Sequence, residues 1–206
     1  MTATNGDEMT EGIAIEDLTG ARVQAVIADL ARLRMTVFAA FPYLYDGDPA
    51  YEEDYLRGFI AARDAIVVAA RDGERIVGVA TASPLAAQGG EIRDPVAAAG
   101  FAPESAFYFG ESVLLDAYRG RGIGHAFFDR REAQARRCGA RFACFASVIR
   151  PEDHPARPAG YRSLEGFWRK RGYAPVPGLR IEMAWKEHGE PGESAKALQV
   201  WMRDLG

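Results

Sequence analysis

The sequence predicts an α/β domain: a mixed, twisted central sheet flanked by helices, with an additional C-terminal helix. Three observations lead there. Residues 107–115 form a nearly continuous apolar run, followed by a Gly-rich basic turn, a helical stretch and a second apolar run at 142–148. Such a unit closes as a right-handed parallel crossover whose strands are covered on both faces. Upstream, the β-rich runs 65–71 and 75–83 flank Asp72-Gly73-Glu74, whose Asp-Gly pair signals a hairpin and therefore an antiparallel pair. Around these runs lie segments with apolar residues every three or four positions, the mark of helices packed by one face.

In chain order, Ile13 and Ile15 alternate in a short first strand. Thr19 is placed to cap the next helix, where Val23, Val26, Ile27, Leu30 and Leu33 recur at helical spacing toward Phe38. Residues 41–48 interrupt it with a Pro and a Gly, and carry Phe41, Tyr43, Tyr45, Asp46 and Asp48. This loop is either pinned to the core by its rings or a wall of an acceptor pocket, with Tyr43 and Tyr45 as substrate contacts. Tyr51, Tyr55, Leu56, Phe59 and Ile60 form a second helix. Residues 84–106 show no strand pattern and hold at most a small helix between Asp94 and Gly100. A connection that long is functional or mobile, and one role open to it is to cover the acceptor site.

The helix after the Gly-rich turn runs to Arg137 and is ended by Gly139. Residues 150–160 are a Pro-rich loop with His154. Residues 163–171 form a short helix with Leu164, Phe167 and Trp168, ended by Gly172. Leu179, Ile181, Met183 and Trp185 alternate as a last strand. Ser194 then caps the terminal helix, about 193–205, with Leu198, Trp201, Met202 and Leu205 on one side. This helix has two places to dock: its own domain, or the partner subunit of a homodimer. The organisation is a flexible N-terminus, 1–11, and a single domain, 12–206.

Composition bounds the function. The chain has 206 residues, and 48% apolar content is enough for a core. A net charge of -4 argues against a general nucleic-acid binder, whose affinity comes from basic residues meeting phosphates. Cys138 and Cys144 suggest neither a disulfide framework nor a metal site, and read as packing residues in a reducing cytosol. No apolar run reaches the roughly 18 residues that a membrane span needs. Met1 opens a polar, acidic stretch without the basic start and apolar core of a secretion signal. The expectation is a cytoplasmic protein with no metal, no nucleic acid and no membrane partner.

The turn Tyr118-Arg119-Gly120-Arg121-Gly122-Ile123-Gly124-His125 carries the functional argument. Glycines let backbone N–H groups close on an anion, and the first turn of the helix adds free donors and the positive end of its dipole. A Rossmann fingerprint would need Gly-x-Gly-x-x-Gly after the first strand and an acidic residue closing the next strand; neither is present. A Walker loop would need Gly-Lys-Ser or Gly-Lys-Thr, also missing.

Arg119-Gly120-Arg121-Gly122-Ile123-Gly124 resembles the Arg/Gln-x-x-Gly-x-Gly/Ala signature of the GNAT superfamily of acetyl-CoA-dependent N-acetyltransferases. Phe167-Trp168-Arg169-Lys170-Arg171-Gly172-Tyr173 resembles the aromatic-x-x-x-Gly-aromatic pattern that closes the family's last helix. The resemblance covers roughly residues 12–186. It implies that the N–H groups of Gly120, Arg121, Gly122, Ile123, Gly124 and His125 hold the pyrophosphate of acetyl-CoA. It places Ser112, Val113 and Leu114 beside the pantetheine arm, and lets the Arg119 and Arg121 side chains reach phosphate. Family members move acetyl directly to a primary amine of a small molecule or peptide through a tetrahedral intermediate, so a base must first deprotonate the ammonium. Glu111, which breaks the apolar run, is the candidate base and a substrate contact; its other role would be a carboxylate satisfied by an arginine. A strand N–H from Val113 or Leu114 would stabilise the oxyanion.

The chain departs from the family where many members carry the tyrosine that protonates the leaving thiolate: that position is Trp168, and indole has no acidic proton to give at neutral pH. Tyr161 is the catalytic substitute proposed from sequence, with Tyr108 and Ser147 as alternatives. Two other readings stay open at this level: a CoA-binding module without catalysis, and a dinucleotide-binding protein.

Overall fold

The computed structural model describes residues 8–10, 12–19 and 21–206. Its strands are β1 (Glu8–Thr10), β2 (Ile13–Leu18), β3 (Ile66–Asp72), β4 (Arg75–Pro84), β5 (Ala106–Leu114), β6 (Phe142–Val148), β7 (Ala174–Trp185) and β8 (Ser194–Asp204). Its helices are α1 (Ala21–Gln24), α2 (Ile27–Phe38), α3 (Pro49–Ala61), α4 (Gly90–Ala98), α5 (Ile123–Arg137) and α6 (Glu165–Lys170). The strands make one sheet in the order β1-β2-β3-β4-β5-β6-β8-β7. The flexible start expected at 1–11 falls mostly outside the described residues; within it, Glu8–Thr10 pairs with β2.

The expected crossover and hairpin are both present. β5 and β6 are parallel, joined through α5. β3 and β4 are antiparallel around Gly73, whose φ of 57° suits glycine. Two layers cover the sheet. One face packs Phe107, Phe109, Phe127, Phe128, Tyr173 and Trp201 around α5 and α6. The other packs Leu30, Leu56, Val79 and Val113 under α2 and α3, and Ile92, Val96, Ile181 and Leu198 under α4.

Three sequence expectations are corrected. The first helix is broken: α1 and α2 are separated at Val26, whose φ of -119° and ψ of 8° are not helical. The small helix allowed between Asp94 and Gly100 is present but begins earlier: α4 starts at Gly90, with Pro95 inside it, and the 3-10 turns Leu85–Ala87 and Pro103–Ser105 add further structure to the segment.

The largest correction is the terminal helix, which is a strand. Leu198, Trp201, Met202 and Leu205 fit a helical spacing, but Leu198, Val200 and Met202 also alternate, and the structure uses that period. These three pack on the α4 face while Trp201 faces α5. β8 is inserted between β6 and β7 and pairs antiparallel with both, so hydrogen bonding along two edges overrides the helix propensity of Ala195-Lys196-Ala197. Trp201 (2% exposed) and Met202 (8% exposed) are buried inside this chain and form no docking surface.

The β7–β8 turn is tied by Glu190, which accepts from the Glu187 N–H (3.0 Å), the Ser194 hydroxyl (2.8 Å) and Lys196 Nζ (3.1 Å). The Glu187 amide, Ser194 and Lys196 together lower the Glu190 pKa to about 2. A depressed carboxylate stabilises the fold above its unfolded pKa of about 4.3 and loses that contribution as pH falls toward the folded value. Glu190→Gln is therefore expected to lower the urea midpoint at pH 7, with the gap to the parent closing between about pH 4.5 and 2. An equal gap at pH 2.5 and 7 would show that the charge contributes nothing.

Candidate functional site

The site begins with a defect in β5. Its ladder with β4 shifts between Ala80↔Ser112 and Ala82↔Phe109, so Gly110 and Glu111 together oppose Thr81. This β-bulge swaps the faces of the strand. Before it, Phe107 and Phe109 point to α5; after it, Val113 points to α2 and α3. Glu111 turns with Val113. Its N–H donates to Thr81 Oγ1 (3.3 Å), and a Cβ at Gly110 would lie 2.5 Å from that same oxygen, so the tight approach requires glycine. On the α5 side, buried Arg131 donates to the carbonyls of Thr81 (3.3 Å) and Glu111 (3.4 Å) and closes the bulge from behind.

Next to the bulge the sheet opens. β5 and β6 pair only over Ala106↔Phe142, Phe107↔Ala143 and Tyr108↔Cys144. Past that point β6 stays with β8 and β5 with β4, leaving an unpaired edge on each. Since the N–H groups of Glu111 and Leu115 point to β4, alternation turns those of Ser112 and Leu114 to the open edge. The Val113 N–H, one of the oxyanion donors expected from sequence, faces β4 instead, and its side chain is buried in the α2/α3 core.

A groove of about 520 Å³ runs from this opening to the Gly-rich turn. Ser112, Leu114, Arg119, Gly120, Gly122, Gly124 and His125 line it. Gly120 (φ 79°) and Gly122 (φ 82°) are left-handed, and Gly122 starts α5. His125 and Ala126 donate back to the Gly122 carbonyl (2.9 and 3.2 Å), while no acceptor among the described residues takes the N–H groups of Gly120, Arg121, Gly122, Ile123 or Gly124. A run of free donors at a helix start fits a diphosphate. The side chains fit less uniformly. Arg119 is paired with Asp116 (2.9 Å) at the rim; Arg121 folds back onto the Ala117 carbonyl (3.1 Å) and the Tyr118 ring; Ile123 is core. His125 is stacked edge-on against Phe167, with ring centroids 4.9 Å apart.

A second, smaller cavity of about 130 Å³ lies behind the groove, between α2, α3, α4 and the β7–β8 hairpin. Phe38, Tyr43, Gly110, Glu111 and Ala146 line both spaces, so the bulge forms part of the partition. Tyr43 and Tyr45 do line the cavity, as expected. So does Ile92 of α4, which puts the 84–106 segment at its wall. Asp46 and Asp48 do not: Asp46 pairs with Lys186 (2.7 Å), and Asp48 caps α3 by accepting from the Tyr51 N–H (2.9 Å).

Glu111 is only 6% exposed. Its Oε2 meets Arg34 Nη1 at 2.7 Å, Arg34 Nε donates to Glu52 at 2.5 Å, and Glu111 Oε1 has no partner among the described residues. Burial alone would lower the Arg34 pKa; Glu111, Tyr55 and Glu52 outweigh it, so the guanidinium is held charged. Arg34 also lies over the Tyr55 ring at 4.5 Å. Two carboxylates around one guanidinium leave the trio with one excess negative charge.

The other predicted residues separate. Tyr161 lines the groove, packed edge-on against Phe41 at 4.7 Å, and burial raises its pKa. Tyr108 lines the small cavity instead. Ser147 Oγ accepts from Trp201 Nε1 (3.0 Å). Trp168 is packed between Phe145 and Trp201, at 5.0 and 5.1 Å. Sequence reasoning missed Arg34, Glu52, Trp185 and Arg150. The first two had a legible signal: Arg34 follows Leu30 by four, and Glu52 precedes Leu56 by four, so each interrupts an apolar helix face. Arg150 had none; it donates to the carbonyls of Pro42 (2.7 Å) and Tyr43 (3.2 Å) and so places Tyr43.

Removing the cation should expose the cost of the trio. Arg34→Met leaves Glu52 and Glu111 facing each other in a buried site, and is expected to lower stability by about 3–5 kcal/mol in chemical denaturation at pH 7. The triple replacement with Glu52→Gln and Glu111→Gln should recover most of that loss. Equal loss in both variants would assign it to packing.

Residues 30–173, more than half of the chain, match the acetyltransferase (GNAT) family. No curated protein sequence matches. Solved structures share the fold at low identity. The acetyl-CoA complex of yncA from Salmonella typhimurium aligns over 95% of both chains with a TM-score of 0.60 at 12% identity. A GNAT-family chain from Chromobacterium violaceum aligns over 100% of this chain and 94% of its own, with a TM-score of 0.60 at 15% identity. Ribosomal-protein-alanine N-acetyltransferase from Brucella melitensis aligns over 92% and 98%, with a TM-score of 0.59 at 13% identity. With the bulged β5, the splayed β5/β6 pair and the Gly-rich start of α5, the family match leads to one conclusion: this chain belongs to the acetyltransferase (GNAT) family.

Proposed function

We propose that the protein is an N-acetyltransferase that moves the acetyl group of acetyl-CoA directly to a primary amine of a small molecule. One observation carries this reading. Glu111, with an unpartnered oxygen, lines both the groove that ends at the free N–H cradle and the smaller cavity beside it.

Acetyl-CoA supplies the thioester. The chain supplies the rest. The N–H groups of residues 120–124 hold the pyrophosphate, and Ser112 and Leu114 offer open-edge N–H groups to the pantetheine arm and the thioester carbonyl oxygen. The excess charge of the Arg34 trio draws the ammonium form of the acceptor, and Glu111 Oε1 takes its proton. The phenols that line the groove are Tyr43 and Tyr161. Burial pushes Tyr43 up to about 12 and raises Tyr161 too, so both keep a proton to donate. A thiol of ordinary pKa about 8.5 is a tolerable leaving group with such a donor in place of the one lost at Trp168. Trp168, fixed among rings, is the observation that favours the second reading, a CoA-binding module without turnover; thiol release with amines decides between them.

Gly122→Val forces a β-branched residue into a left-handed position and crowds the cradle. It should weaken acetyl-CoA binding at least about 100-fold in calorimetry, roughly the 2.8 kcal/mol of two lost charge-assisted bonds, with the circular dichroism spectrum unchanged. Parent-like affinity would remove the cradle from the site. Glu111→Gln should reduce kcat/KM about 10²–10⁴-fold at pH 7, with the deficit shrinking toward pH 10, where the amine arrives neutral. A loss equal at all pH values would make Glu111 a positioning residue.

A further inference from the structure

We infer that the acceptor is a primary amine with a compact apolar, ring-sized body and no carboxylate, bound ammonium-first in the small cavity; this rests on the N-acetyltransferase reading. Four features of the cavity point there. First, the acidic residues lining it are Glu52, Glu111 and Glu193, against Arg34 as the one basic residue lining it among the described residues. Arg34 already faces two of those carboxylates, so a ligand carboxylate would meet excess negative charge. Second, Glu111 Oε1 is a buried acceptor with no donor, which an ammonium N–H satisfies and a carboxylate cannot.

Third, the walls are aromatic. Phe38 and Tyr43 sit 4.5 Å apart beside Glu111, and Tyr45, Tyr51 and Tyr55 complete the α2/α3 side. Ring faces attract a desolvated cation, so rings beside Glu111 suit the ammonium. Fourth, Ile92, Met183, Trp185 and Leu198 give the rest of the lining an apolar character, against which a hydrocarbon body is buried. At roughly 10–15 Å³ per water-sized group, about 130 Å³ takes a ligand of about ten non-hydrogen atoms. An amino acid of the same size fits by volume and fails on charge; a short diamine fits by charge and leaves the apolar lining uncovered. Discrimination by an unpaired buried polar group is steep, so the carboxylate should be rejected strongly.

Three probes separate these properties: 2-phenylethylamine, phenylalanine and 1,4-diaminobutane. Thiol release from acetyl-CoA should show kcat/KM for 2-phenylethylamine at least 100-fold above phenylalanine and 10-fold above 1,4-diaminobutane. Calorimetric titration of each probe into the protein should give the same order of affinity. Glu193 is exposed, so Glu193→Arg keeps the fold while adding a free cation at the cavity, and should shrink the phenylalanine penalty at least 10-fold. Phenylalanine bound and turned over as well as 2-phenylethylamine would overturn the exclusion of carboxylates. Preference for 1,4-diaminobutane would overturn the apolar body. Both results leave acetyl transfer intact. Binding of 2-phenylethylamine in the stated order without thiol release from any probe would overturn the transferase reading and keep the pocket assignment.

Discussion

The bulge at Gly110 and Glu111 is the constraint on which the site depends. One extra residue against Thr81 reverses the faces of β5, and that reversal puts a carboxylate on the α2/α3 side instead of against the rings of α5. It stands just past the last parallel pair, Tyr108↔Cys144. The strand therefore changes face where it loses its partner. An open edge, a turned carboxylate and two adjoining cavities come from one local irregularity, braced from behind by a buried arginine.

Electrostatics sharpen what the backbone begins. A buried carboxylate alone would be strongly disfavoured, and Arg34 offsets that. Because Arg34 also serves Glu52, the balance stays negative, and Glu111 keeps an oxygen for another donor. An ion pair and an oxygen without a donor coexist on Glu111 because the guanidinium is shared. Burial lowers the pKa of Arg131, the other buried arginine, to about 10, still charged at neutral pH; its Nη1 donates to the bulge carbonyls of Thr81 and Glu111 and its Nε to the Phe127 carbonyl.

The hairpin at the end of the chain completes the second cavity. Trp185 and Leu198 come from its two strands, and the Trp185 indole donates to the Tyr43 carbonyl (3.0 Å), so the terminal strands and the α2–α3 loop hold each other in place. Trp201 fills the other face, stacked parallel to Phe145 at 6.3 Å. A terminal helix could not supply both contacts, because only period-two alternation sends Leu198 and Trp201 to opposite faces of one layer.

What was legible in the sequence is what depends on neighbours along the chain. Gly120 and Gly122 between an apolar run and a helix spell a tight turn of free N–H groups, because left-handed turns need glycine locally. Asp72-Gly73 spells a hairpin for the same reason. Glu111 stood out as a charge in an apolar strand. The sequence by itself thus determined the α/β class, the crossover, the cradle and the identity of the buried carboxylate. Only the tertiary structure decided where that carboxylate points, that Arg34 and Glu52 from two helices share it, that Asp46 and Asp48 belong elsewhere, and that residues 194–204 are a strand. Each of these turns on a partner far away in sequence: Thr81 for the bulge, Arg34 for the charge, β6 and β7 for the last strand. A period of two and a period of 3.6 can coexist in one short stretch, and the free edge of β6 selects between them.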